Sequence, residues 1–237
     1  MIERRPFSQL GAANHGWLDA KHHFSFAGYY DRNRMHWGNL RVWNDDTIAA
    51  QAGFDTHPHK EMEIVTYVRQ GAITHRDSLG NQGRTVVGDV QVMSAGSGIY
   101  HSEYNLEDEA TKIFQIWILP THANAADKPS WGTKPFPKDE RSNKFVILAS
   151  GFANDAAENA LPIRTDARVV GATIKASECV EYHFDNADHY GYLVPAKGTV
   201  EINGIRIEKG DGAAIHGESS VRVTAVEDAE LVLVETV

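Results

Sequence analysis

Apolar and polar positions along this chain alternate in short runs, and few stretches repeat with the 3.6-residue period of a helix. Runs rich in β-branched and aromatic residues read as strands: Leu40 to Trp43, Glu63 to Val68, Val90 to Met93, Ile113 to Leu119, Val146 to Leu148, Val169 to Ile174, Tyr190 to Val194, Thr199 to Ile202, Val221 to Ala225 and Leu231 to Val234. Turn residues punctuate them at Gly71, Asp77 to Gly80, Gly88, Gly96, Gly98, Asn203-Gly204 and Gly210. Asn203-Gly204, between Val200-Glu201-Ile202 and Ile205-Arg206-Ile207, predicts a type I′ hairpin. Many short strands with regular punctuation predict an all-β sandwich or barrel. Pro120 to Lys144 breaks the pattern: it holds four of the eight prolines and little periodicity, so it reads as a linker with room for a short helical turn.

Two clusters carry the chemistry, His57-Pro58-His59 and His101-Ser102-Glu103. Residues two apart on a strand point to the same face. Three imidazoles and one carboxylate could therefore meet on one ion from two neighbouring strands. Such a set suits Fe, Mn, Co, Ni, Cu or Zn, and four protein ligands leave open positions in an octahedral shell, as a catalytic metal requires.

The two β-rich halves echo one another. A strand ending at Gly71, a hairpin and Gly88-Asp89 match a strand ending at Gly198, a hairpin and Gly210-Asp211. This repeat predicts a duplicated domain. Counting from the matched glycines places His57 opposite Phe184, His59 opposite Asn186, His101 opposite Val223 and Glu103 opposite Ala225. The second half keeps the scaffold signal without the ligands, which predicts one metal per chain.

Composition narrows the setting. The chain has 237 residues, 42% hydrophobic and 23% charged, as in ordinary globular proteins. Net charge is −9 with no run of Lys or Arg, which argues against direct binding to nucleic acid or an anionic membrane. Cys179 is the single cysteine, so no intrachain disulfide forms. Met1 to Gly11 has no apolar segment of a signal peptide, and no apolar run approaches the ~20 residues that cross a bilayer. A cytoplasmic protein is expected. His22, His23, His36 and His75 stand off the two clusters and read as structural, and Trp37, Trp43 and Trp117 as core. Met93 and Gln115 could line the cavity.

The segment Gly53-Phe54-Asp55-Thr56-His57-Pro58-His59 with Glu63 and Gly71 resembles the first cupin motif. Gly88-Asp89, Gly96 to Gly98, His101 and Asn105 resemble the second. Within the cupins, Thr56 to Glu63, Met93 to Glu103, Asn14 to Asp19 and His23 to Phe26 resemble the pirin family, densely from about Asn14 to Pro120. The resemblance implies a bicupin of two tandem antiparallel β-barrel (jelly-roll) domains: 1–120 with the metal, a linker 121–144, and 145–237 without it. It implies one iron held by His57, His59, His101 and Glu103. Many cupins use the first-motif Glu, here Glu63, which stays an alternative ligand or catalytic base beside Glu103.

The resemblance also implies a function. Some pirin-like proteins cleave the flavonol quercetin with O2, opening its ring with loss of carbon monoxide. Others are regulatory iron proteins. A quercetin 2,3-dioxygenase-like enzyme, acting on a flavonol or related phenol, is the first expectation, and an iron redox sensor that meets another protein is the alternative. A monomer is expected, because duplication already supplies a pair of domains within one chain.

Overall fold

The computed structural model describes residues 1–121 and 126–237. The strands of the first part are β1 (Ile2–Arg5), β2 (Gly11–Asn14), β3 (Leu18–His22), β4 (Leu40–Ile48), β5 (Ala52–His59), β6 (Glu63–Gln70), β7 (Ala72–Asp77), β8 (Gln82–Val86), β9 (Val90–Ser94), β10 (Ile99–Asn105), β11 (Thr111–Ile118) and β12 (Ser130–Lys134). The second part contributes β13 (Val146–Ser150), β14 (Leu161–Pro162), β15 (Ala167–Ile174), β16 (Cys179–His183), β17 (Tyr190–Lys197), β18 (Val200–Ile202), β19 (Ile205–Ile207), β20 (Gly212–His216), β21 (Ser220–Ala225) and β22 (Ala229–Thr236). No helix among the described residues is long and apolar enough to cross a membrane.

Each half is a pair of sheets. In the first, a seven-stranded sheet ordered β12-β9-β6-β11-β4-β3-β2 belongs with a four-stranded sheet β5-β10-β7-β8. In the second, β1-β20-β17-β22-β15-β13-β14 belongs with β16-β21-β18-β19. The barrels expected from the sequence are thus open jelly-roll sandwiches, whose sheets keep separate edges. Edge strands such as β2, β12 and β14 are short, and β5 carries Pro58, which has no N–H to extend a ladder. The hairpin at Asn203-Gly204 forms with both residues at positive φ and Ile202 paired with Ile205, as the sequence predicts.

One arm crosses over and one folds back. β1, first in the chain, pairs with β20 of the second half. β12, inside the stretch that reads as a linker, pairs with β9 of the first half. Each arm ends at the aspartate of a Gly-Asp turn: the Phe7 amide donates to Asp211 Oδ1 at 2.7 Å, and the Phe136 amide to Asp89 Oδ1 at 2.9 Å. Past β12 comes a 3-10 turn at Lys138–Arg141. Residues 122–125 of the expected linker lie outside the described residues.

The two large sheets bury a common core in the seam between the halves, built from Trp43, Tyr67 and Phe114 of the first and Tyr192, Val194 and Val232 of the second. Inside the second half lies another continuous apolar core, which includes Val170, Leu193, Val223 and Leu233. The interior of the first half differs. Its apolar residues form two small clusters, one with Ile48, Val68 and Ile113, the other with Ile64, Met93 and Ile99. The side chains between these clusters are polar, and they build the site.

Candidate metal centre

β10 runs antiparallel between β5 and β7. His101 stands opposite His57, and His59 lies two residues further along β5 on the same face. Ring centroids are 4.5 Å apart for His57 and His101, 4.8 Å for His57 and His59, and 4.9 Å for His59 and His101. One ring nitrogen from each lies within 4.8 Å of the others. His101 is buried and the other two are half-buried. Burial first, and then the neighbouring imidazoles, push His101 down to about 2; burial and then His57 take His59 to about 4. Both rings are therefore neutral near pH 7, the form that donates a lone pair to a metal.

Hydrogen bonds set which nitrogen is offered. His57 Nδ1 donates to the Asp55 carbonyl at 2.6 Å, which leaves Nε2 with the lone pair. His75 Nε2 is 3.0 Å from Asp77 Oδ2, and a carboxylate only accepts, so His75 carries its proton there. His75 Nδ1 is then an acceptor, 3.4 Å from His101 Nδ1, which must be the donor. That leaves His101 Nε2 as a lone pair, and it is buried with no hydrogen-bond partner. A neutral, oriented imidazole with an unpartnered buried nitrogen, in a cluster of three, fits a divalent transition metal.

Glu103 lies two residues past His101, after a register shift in the β5/β10 pair. It is buried, and the large sheet opposite receives it. Oε1 accepts from Thr66 Oγ1 at 3.1 Å and Gln91 Nε2 at 2.5 Å, and Oε2 from Gln115 Nε2 at 2.8 Å. Burial raises its pKa to about 7 against the pull of these bonds. The three donors and Asn44 occupy one rung of the sheet: Asn44, Gln115, Thr66 and Gln91 pair in register across β4, β11, β6 and β9. His22 and Thr133 extend the rung at its two ends. Asp46, paired with Ile113 one interior position away, is buried with Oδ1 unpartnered. Burial, then Asp45 and Glu103, raise its pKa well above the usual carboxylate range.

The second half serves as an internal control. His75 follows Gly71 by four residues and stands opposite Glu103; Ile202 follows Gly198 by four and stands opposite Val223. Val223 is therefore the counterpart of Glu103, and Val221 that of His101. Tyr182 faces Val221 as His57 faces His101, which leaves Phe184 as the counterpart of His59. Counting from the glycines misplaces all four by two residues, because the chain between each glycine and the matched strand position differs by that much in the two halves. The counterpart of the polar rung is Val170, Leu233, Leu193 and Ala213. All eight residues belong to the apolar core. The three histidines, Glu103 and the rung are thus polar together in one half, and their counterparts apolar together in the other.

Glu63 is not in this site. Side chains alternate along β6, so Glu63 shares the seam face with Val65 and Tyr67, while Thr66 points inward. Its Oε2 accepts from Ser94 Oγ at 2.6 Å and the Arg164 amide at 3.1 Å. Conversely, His75 and Trp117 belong to the site although the sequence reads them as structural. His75 stacks on Trp131, centroids 4.7 Å apart and planes within 6°. Its signal was a third i, i+2 pair, His75 with Asp77. Trp117 meets His59 edge-on at 4.9 Å and donates to Gln115 Oε1 at 3.2 Å. Phe26 packs on Trp117, and Trp17 on Phe54 beside His57, so aromatic rings flank the imidazoles.

Known proteins share this architecture. Residues 3–118 match the family described as Pirin, and residues 148–236 match the Quercetinase C-terminal cupin domain. A pirin-like protein of Caulobacter vibrioides is 66% identical, with 99% of both chains aligned. A quercetin 2,3-dioxygenase of Escherichia coli is 41% identical over 98% of this chain and 97% of its own. The crystal structure of the bacterial pirin YhhW in complex with nickel(II), from Escherichia coli, superposes with a TM-score of 0.91 at 38% identity, covering 100% of this chain and 99% of that one.

Proposed function

Because the chain belongs to the pirin family, we propose that it is a metal-dependent dioxygenase that opens a flavonol such as quercetin, or a related phenol, with O2. The observation that carries this reading is the joint presence of three imidazoles, Glu103 and the polar rung in one half, and their joint replacement by apolar residues in the other. His57, His59 and His101 would hold the ion, iron in this proposal, with Glu103 as the fourth ligand. A bound divalent ion supplies Lewis acidity toward the substrate hydroxyl and a redox partner for O2.

The chain's own residues do the rest. The Asp55 carbonyl and His75 fix the ring orientations of His57 and His101. Glu103 would leave the ion to act as the base, taking the substrate's hydroxyl proton at Oε2 while Gln91 and Thr66 hold Oε1 in place. Phe26, Trp117, Phe54 and Trp17 offer ring faces and edges to a flat substrate and keep water from it. In the reaction one O2 is consumed, the central ring of quercetin opens, and one carbon leaves as carbon monoxide.

The test is oxygen uptake with quercetin by protein loaded separately with Fe²⁺, Ni²⁺, Cu²⁺ and Co²⁺, together with loss of flavonol absorbance and detection of carbon monoxide. Turnover is expected with at least one metal, and Glu103→Gln should lower it about 100-fold or more. Metal bound at one per chain with no oxygen uptake would refute the enzyme reading in favour of a redox-sensing iron protein.

A further inference from the structure

The seam between the halves opens into a cleft that the proposed reaction does not use. Two adjoining cavities, of about 290 Å³ and 260 Å³, share Arg69, Lys112 and Lys209. Lys138 and Lys197 also line the first, and Phe7 and Gly210 the second. Five cations thus converge in a chain whose net charge is −9. Two are answered internally: Arg69 pairs with Asp45, and Lys138 with Glu230 at 2.5 Å. Lys112, Lys197 and Lys209 form no ion pair among the described residues. The Arg69 side chain is buried, packed over the Phe114 ring at 4.3 Å, and its Nε has no partner. Cations gathered where their repulsion is uncompensated, with a desolvated guanidinium among them, mark a place for an anion.

We propose that this cleft binds a small organic polyanion with two phosphoryl groups, one in each lobe, bridging the two halves. The lobes hold Arg69, Lys112 and Lys209 in common and the first adds Lys197, so one guanidinium and three unpaired ammonium groups are spread along the joined cleft, which suits two linked phosphoryl groups better than one. The halves contribute together: Arg69 and Lys112 come from the first, Lys197 and Lys209 from the second. The site is independent of the metal chemistry and stands or falls apart from it.

Fructose 1,6-bisphosphate serves as the probe, because it chelates transition metals weakly. Calorimetric titration of the metal-loaded protein at fixed ionic strength should show saturable binding at one per chain, with inorganic phosphate weaker. Lys112→Gln/Lys209→Gln should weaken it about tenfold or more, since two charge contacts are lost. Metal content and melting temperature of that variant, in the absence of probe, should match wild type. Lys197→Gln provides a second, milder test of the same cleft. Equal affinity in wild type and the double variant, or the same heat when NaCl of equal ionic strength replaces the probe, would overturn the assignment. Phosphate binding as tightly as the bisphosphate would overturn its two-lobed form.

Discussion

His101 depends on a residue that is not itself a ligand. Asp77 holds the proton of His75 on Nε2, so His75 can only accept from His101 Nδ1, and His101 Nε2 is turned out as the donor atom. His75→Ala should therefore lower metal affinity about 10- to 100-fold while the protein stays folded. Competition against a chromophoric chelator measures this, and His75→Gln, which keeps an acceptor, should recover part of the loss. Unchanged affinity would reduce His75 to a packing partner of Trp131. At this scale the cluster of His57, His59 and His101 is legible in the sequence, because two residues apart on a strand means one face. Glu63 is not: a lone carboxylate on an apolar strand gives no sign of its face. Only the strand's neighbours, Val65 and Tyr67 in the seam, decide it. His75 was hidden because its partner across the sheet, His101, is 26 residues away.

Strands found from their apolar runs mostly belong to the two large sheets, which pack on the seam. β5 and β10, which carry the three histidines and Glu103, give no such run, because their interior positions hold these polar side chains. The repeat was legible from its turns, since Gly71 and Gly198 both adopt positive φ at the same step of the fold. Its register was not, because loop lengths between turns are free to differ. These arms were also invisible, for β1 and β12 are short and reveal their partners, β20 of the second half and β9 of the first, only in the fold. Asp211 fixes one arm by accepting from the Phe7 amide, Arg4 Nε and the Glu208 amide. Asp211→Ala leaves these donors unpaired and should cost about 2–4 kcal/mol in urea unfolding, with metal content unchanged. A loss below about 0.5 kcal/mol would mean that the arm adds nothing.

The whole molecule is held by the seam, and its pH response should show this. His23 is buried there against Trp43 and Tyr192, with Nδ1 2.9 Å from the Tyr192 hydroxyl. Burial first, and then Arg5, Arg34 and Arg69, push its pKa well below 6.5. The unfolded chain then binds this proton at a higher pH than the folded one. Its contribution is complete above about 6.5 and is lost as pH falls toward the folded pKa. Measured against His23→Gln, wild-type stability should be level above pH 7 and decline by ~1.4 kcal/mol per unit below about 6.5. Urea unfolding at several pH values reads it, and a pH-independent difference would show that His23 does not stay neutral.

The difference between the two halves is tested most directly by the metal content of purified, reconstituted protein, wild type beside His101→Ala. Wild type should hold one transition-metal ion per chain and His101→Ala none. Both should stay folded, because the second half and the seam have apolar cores that need no metal. A full ion retained in His101→Ala, or a second ion bound in the wild type, would contradict the assignment of the site to His57, His59 and His101 in the first half alone.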